Sequence, residues 1–156
     1  MLQEIQDYLT ELDDLRTQIK GLLEGLPQEG LDWRPIEGEG DLATNSLGVI
    51  ATHLVGSETF WSSELIGGKK VDRDRDSEFK AKGISSSELK GKMDKSGQLT
   101  QEILSSLKKK QLEEKRNWRD RSINVRWCIV HLITHFSQHL GHMQLTRQLW
   151  LAKTKS

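Results

Sequence analysis

The sequence predicts an all-α protein, a four-helix bundle with one long crossover between its second and third helices. Three observations carry that reading. Apolar residues recur at the three- and four-residue steps of a helix face, and no segment alternates at the two-residue period of a half-buried strand. The only prolines, Pro27 and Pro35, stand close together and leave the rest of the chain free to be helical. A chain of 156 residues is large enough for one domain with its own core, assigned to residues 1–156.

The first helix shows Ile5, Tyr8, Leu12, Leu15, Ile19, Leu22 and Leu26 on one stripe, with charged and amide residues between them. Pro27 to Thr44 holds both prolines and several glycines, so it reads as a connection, with Trp33-Arg34-Pro35 as an aromatic anchor onto the bundle. Asn45 or Ser46 caps a second helix. Its stripe is Leu47, Ile50, Leu54, Trp61 and Leu65, and Gly67-Gly68 ends it. The run from Lys69 to Gly83 is dense in both charges and reads as a solvated crossover. Ser85 with Glu88 forms a capping box for a third helix that carries Leu89, Met93, Ile103, Leu104 and Leu107. The mixed-sign run around Lys108 to Arg121 is expected to be a loop. The fourth helix starts near Asn124 and runs to about Ala152, so apolar nearly all round that it is expected to be the most buried.

Composition narrows the function. Lys plus Arg and Asp plus Glu cancel at 23 each, which removes a net field toward nucleic acid or acidic membranes. A single cysteine, Cys128, forbids an internal disulfide and points to a reducing compartment. The acidic, amphipathic start does not read as a signal peptide, and no segment reaches the ~18 to 20 apolar residues of a membrane span. The expectation is a cytoplasmic protein, for which homodimerisation through helix faces is open.

Four of the five histidines, His131, His135, His139 and His142, lie on the fourth helix, and the first three are spaced i, i+4, i+8. Unpaired burial of three imidazoles costs a few kcal/mol each (~1 to 3), because every ring has a donor and an acceptor to satisfy. A shared metal satisfies them together. Residues four apart are separated by ~6 Å along the axis and converge on one ion, whereas residues eight apart, at ~12 Å, do not. One helix therefore supplies two ligands and another supplies the third. His53 is the only histidine elsewhere. Spacing alone leaves His131/His135 and His135/His139 equally open. Phe136 follows His135, so the general base of the H-E-x-x-H zinc proteases is missing. Three neutral nitrogens leave open positions, the pattern of a catalytic site, where a metal acidifies bound water or a thiol. Imidazole donors suit zinc, nickel, iron or copper, with zinc or nickel expected as the divalent ion and iron as a further choice.

Two motifs carry a resemblance. His53-Leu54-Val55-Gly56-Ser57-Glu58-Thr59-Phe60-Trp61 resembles an H-L-x-x-x-E-x-x-W helix. His131, His135, His139 and Gly141-His142, preceded by Val125-Arg126-Trp127 and followed by Arg147, resemble H-x-x-x-H-x-x-x-H-x-G-H. In these, and in Trp33-Arg34-Pro35, the chain is similar to the DinB-like superfamily of bundle metalloproteins, which includes bacillithiol- and mycothiol-dependent transferases and maleylpyruvate isomerase relatives. The resemblance implies that the ligands are His53, His135 and His139, with His131 one turn below, either supporting a ligand or packing. It also implies small-molecule partners, a low-molecular-weight thiol and an electrophile, in an S-transferase; hydrolysis, or a non-enzymatic metal-binding role, is the alternative. Glu58 is the carboxylate expected near the pocket as a catalytic group or as a bundle salt bridge. Cys128 is expected to be core.

Overall fold

The computed structural model describes residues 1–155. Four long helices are α1 (Gln3–Leu22), α3 (Leu47–Phe60), α5 (Ser86–Ser105) and α6 (Val125–Lys155); short helices α2 (Gln28–Asp32) and α4 (Arg75–Glu78) lie in the connections. Helix α1 packs on α5 and α6, and α3 packs on the same two, closing a ring in the order α1–α5–α3–α6. Consecutive helices α1 and α3 therefore face each other across a diagonal, as do α5 and α6, whereas the crossover from α3 to α5 joins neighbours. No helix among the described residues is long and apolar enough to cross a membrane.

The core follows the stripes with local exceptions. Helix α1 buries Ile5, Leu9, Leu12, Leu15 and Ile19 and stops at Leu22, short of the expected Leu26. Gly25, at φ +70°, turns the chain before Pro27, and Leu23 rather than Leu26 completes the stripe. Ser46 is the cap of α3, its hydroxyl accepting from the Val49 amide at 3.1 Å. The helix then widens into a π-helical stretch, Trp61–Ile66, which buries Trp61, Leu65 and Ile66 together before Gly67 and Gly68 end it.

Two further differences concern the C-terminal third. The expected loop contains a hairpin, β1 (Lys115–Trp118) with β2 (Arg121–Asn124), in which Arg116 faces Ile123 and Trp118 faces Arg121. A two-stranded ribbon is marginal alone. This one leans on the bundle: Arg116 Nε donates to the Leu65 carbonyl at 2.7 Å, Ile123 is buried, and the Trp118 ring lies 5.1 Å from that of Trp61. Its pairing rests on those tertiary contacts rather than on alternation, which is why pattern reading missed it. Helix α6 is capped by Asn124, whose side chain accepts from the Trp127 amide at 2.8 Å. It is also less enclosed than its composition implied, because Val130, Leu145 and Leu149 remain exposed.

An ion pair crosses the bundle interior. Arg16 on α1 and Glu58 on α3 are 5% and 1% exposed, and Arg16 Nη2 donates to Glu58 Oε1 at 2.5 Å. Ser96 (2.6 Å) and Thr100 (3.0 Å) of α5 donate to the same carboxylate, so three helices share it. Gly97 makes the room, since a Cβ there would lie 2.5 Å from the guanidinium. Glu58 is thus placed in a bundle-holding network with no hydrogen bond to any histidine. Removing Glu58 leaves the buried Arg16 with only the exposed Asp13 as an ion partner. Glu58→Ala is expected to lower unfolding free energy by about 3 to 5 kcal/mol in urea titrations; a loss under about 1 kcal/mol, the range of an exposed ion pair, would contradict this role.

Candidate metal centre

Helices α3 and α6 meet along a short stretch where both are well anchored. The face of α3 opposite Glu58 presents His53, and α6 presents His135 and His139 one turn apart. One ligand atom from each of the three rings lies within 4.8 Å of the other two. His135 Nε2 is 3.2 Å from His53 Nε2 and 3.2 Å from His139 Nε2, so all three rings turn the same nitrogen inward.

The outer nitrogens explain that orientation. His53 Nδ1 donates to Glu78 Oε2 at 2.8 Å, which leaves its Nε2 as a bare lone pair facing the cluster. Glu78 is buried and held by Arg73, whose Nε and Nη2 donate to its two oxygens at 2.7 and 2.9 Å. Gly56 lets it in: a Cβ there would stand 2.1 Å from Glu78 Oε1. The Phe79 ring packs 4.9 Å from that of His53. On α6, His135 Nδ1 lies 3.4 Å from the Ser57 hydroxyl, and His139 Nδ1 is buried without a partner among the described residues.

Burial decides the protonation state. It pushes His135 down to about 3 and His139 down to about 4, helped by neighbouring histidines whose charges would repel. His53 is also lowered, chiefly by burial, with Glu78 opposing. The result at neutral pH is three uncharged imidazoles whose inner nitrogens converge. A divalent cation fits this donor set: nitrogens at ~2.0 to 2.1 Å from a tetrahedral ion stand ~3.3 Å apart, close to the separations of the inner pair contacts.

The other candidates fall outside the cluster. His131 stacks on Trp127 at 4.8 Å and 10° and lies against Trp61 and Trp118, a packing role. His142 is exposed, its ring 5.5 Å from that of His139. Cys128 is fully buried, and burial raises its thiol to about 11. What pattern reading missed is Glu78 with Arg73 and Phe79. The crossover is not wholly solvated, because α4 delivers an acid to the back of His53. The one visible signal was Phe79, a large aromatic in an otherwise polar run.

The sequence profile of the DinB superfamily matches residues 11–143. The chain belongs to the DinB superfamily. Its fold is shared by a conserved protein from Enterococcus faecalis (TM-score 0.78, 15% identity, 97% of this chain and 99% of that one). It is shared also by a DinB-like protein from Bacillus cereus (TM-score 0.73, 19% identity, 92% and 90% covered). A third is YfiT from Bacillus subtilis, described as a probable metal-dependent hydrolase with an unusual four-helix bundle topology (TM-score 0.74, 13% identity, 95% and 89% covered). No curated protein sequence matches this DinB protein.

Two outcomes test the centre. Groups behind a metal-binding histidine typically affect affinity by about tenfold to a hundredfold, so Glu78→Gln should weaken zinc binding in competition titrations by about that factor, with helicity retained. Unchanged affinity would remove Glu78 from the centre. In chelator-stripped protein, the unfolded histidines take up protons near 6.5 whereas folded His135 and His139 resist to about 3 and 4. Stability should therefore be complete above the ordinary histidine range and fall as pH drops from there toward 4, with a flatter profile in a His135→Asn/His139→Asn variant.

Proposed function

We propose that this DinB protein is a metal-dependent enzyme, with thiol-dependent S-transfer as the leading reaction. The observation that carries the proposal is the convergence of three neutral Nε2 donors on one point, with His139 also forming part of the wall of an adjoining cavity. A structural site closes its sphere with a fourth protein ligand; the His/Cys/Asp/Glu group here comprises three residues among those described. That favours an enzyme over a purely structural metal protein.

Zinc or nickel is the proposed ion, held by His53, His135 and His139, with iron as the less suited choice. When bound, it supplies Lewis acidity that favours the ionised form of a thiol. The chain's residues do the rest. Glu78 keeps the His53 tautomer fixed, burial keeps His135 and His139 unprotonated, and the adjoining cavity receives the electrophile. The reaction forms a sulfur–carbon bond as the carbon–leaving-group bond breaks; the thiol proton passes to solvent and the leaving group departs as an anion. YfiT's description as a probable metal-dependent hydrolase supports a second reading, in which water replaces the thiol.

The two are separated by activity. Metal-loaded protein incubated with a low-molecular-weight thiol and 1-chloro-2,4-dinitrobenzene is expected to yield the thioether, and His53→Ala to abolish turnover while the helical circular dichroism persists. Turnover of simple esters without thioether formation would replace transfer with hydrolysis. Absence of both would end the enzymatic reading.

A further inference from the structure

A cavity of about 550 Å³ opens beside His139, within the ~300 to 1,000 Å³ span of small-molecule sites. Trp33, Pro35 and Ile50 line one part, and Leu145 and Leu149 line another. The two leucines are large apolar side chains left exposed on α6, and the cavity gives their exposure a use. No Lys, Arg, Asp or Glu among the described residues lines it. Two neighbouring cations are turned to the protein itself: Arg34 Nε donates to the Thr44 carbonyl at 2.7 Å, and Lys153 Nζ lies over the rings of Trp33 and Trp150.

The polar groups on the wall are few, and apart from the two histidines two of them have no protein partner. Thr10, Thr52, Thr59 and Thr154 each donate their hydroxyl to the carbonyl four residues back in their helix. Thr146 of α6 does not. It is 6% exposed, lines the cavity, and makes no hydrogen bond among the described residues. Asn45 lines the same cavity, and its side chain likewise has no partner there. The Thr146 hydroxyl is not sealed off inside the protein, so a molecule in the cavity can bond it.

We propose that this cavity binds the electrophilic substrate and selects an uncharged, aromatic-sized apolar group carrying one hydrogen-bonding oxygen, which Thr146 and Asn45 receive. In the metal-free protein a carboxylate there would lose its hydration with no cationic side chain on the wall to replace it. The assignment of the occupant as substrate rests on the enzymatic reading above; the selectivity of the cavity does not.

Calorimetric titration at pH 8, with chelator-treated protein, compares 1-naphthalenemethanol, 1-methylnaphthalene and 1-naphthoate. The alcohol is expected to bind at least about tenfold tighter than the carboxylate, a 1.4 kcal/mol difference. Thr146→Val should weaken the alcohol by about threefold to tenfold, the range of one hydrogen bond, and leave 1-methylnaphthalene unchanged. Leu145→Arg, at an exposed position, should raise affinity for the carboxylate above that of the alcohol. Ala43→Trp, which fills the cavity from its wall, should abolish binding of all three. Equal affinity for alcohol and carboxylate, or naphthalene binding that persists in Ala43→Trp, would overturn the proposal. The same titration on His53→Ala separates the two readings. Binding kept without turnover in wild-type protein sinks only the enzyme assignment, whereas turnover without this selectivity sinks only the cavity assignment.

Discussion

Three uncharged imidazoles must be held with their inner nitrogens gathered at one point, and the rest of the architecture serves that constraint. Such an arrangement gains little from solvent, since His53 is nearly inaccessible and burial holds the other two unprotonated. Rigidity therefore has to come from outside the cluster. On one side of α3 it comes from the Arg16–Glu58 network that ties α1, α3 and α5. On the other it comes from Glu78 and Arg73. Below, the ring pile of Trp61, Trp118, Trp127 and His131 fixes α6 against the end of α3. The same helix, α3, thus shows a carboxylate to the bundle interior and an imidazole to the site, five residues apart.

Much of this was legible before any coordinates. Four helices, the Ser46 and Ser85 caps, the Gly67-Gly68 stop and the buried Leu and Ile positions follow from periodicity and local chemistry, because each is decided within a turn or two of the chain. The histidines were legible for a different reason: ring chemistry and axial rise limit which of them can share an ion. Spacing could not choose between His131 and His139. The choice turns on which turn of α6 lies opposite His53, and the aromatic pile captures His131 instead.

The misses share a physical cause. Glu78 looked like one more charge in a polar run, because its burial depends on an absent side chain at Gly56, twenty-two residues earlier. The hairpin was invisible since its strands are stabilised by Arg116 reaching the carbonyls of Leu65 and Ile66, not by their own pattern. Helix α6 was expected to be the most buried, yet it leaves Val130, Leu145 and Leu149 exposed, because composition does not say whether an apolar side chain meets a neighbour or lines a hollow. Glu58 shows the converse: a motif carboxylate expected either near the pocket or in a bundle salt bridge is satisfied inside the bundle, and Gly97 on α5 makes its partner's place.

The diagonal order of the helices has a consequence for biosynthesis. His53 and the α6 pair are separated by more than eighty residues, and α5, which wedges against α3, is made in between. A nascent chain that has exposed only α1 to α5 contains every residue of the Arg16–Glu58 network and of the clasp on His53, yet only one of the three imidazoles. The triad cannot be complete until the last helix emerges and docks, so its assembly is a late event coupled to closure of the ring rather than a nucleus around which the chain collapses.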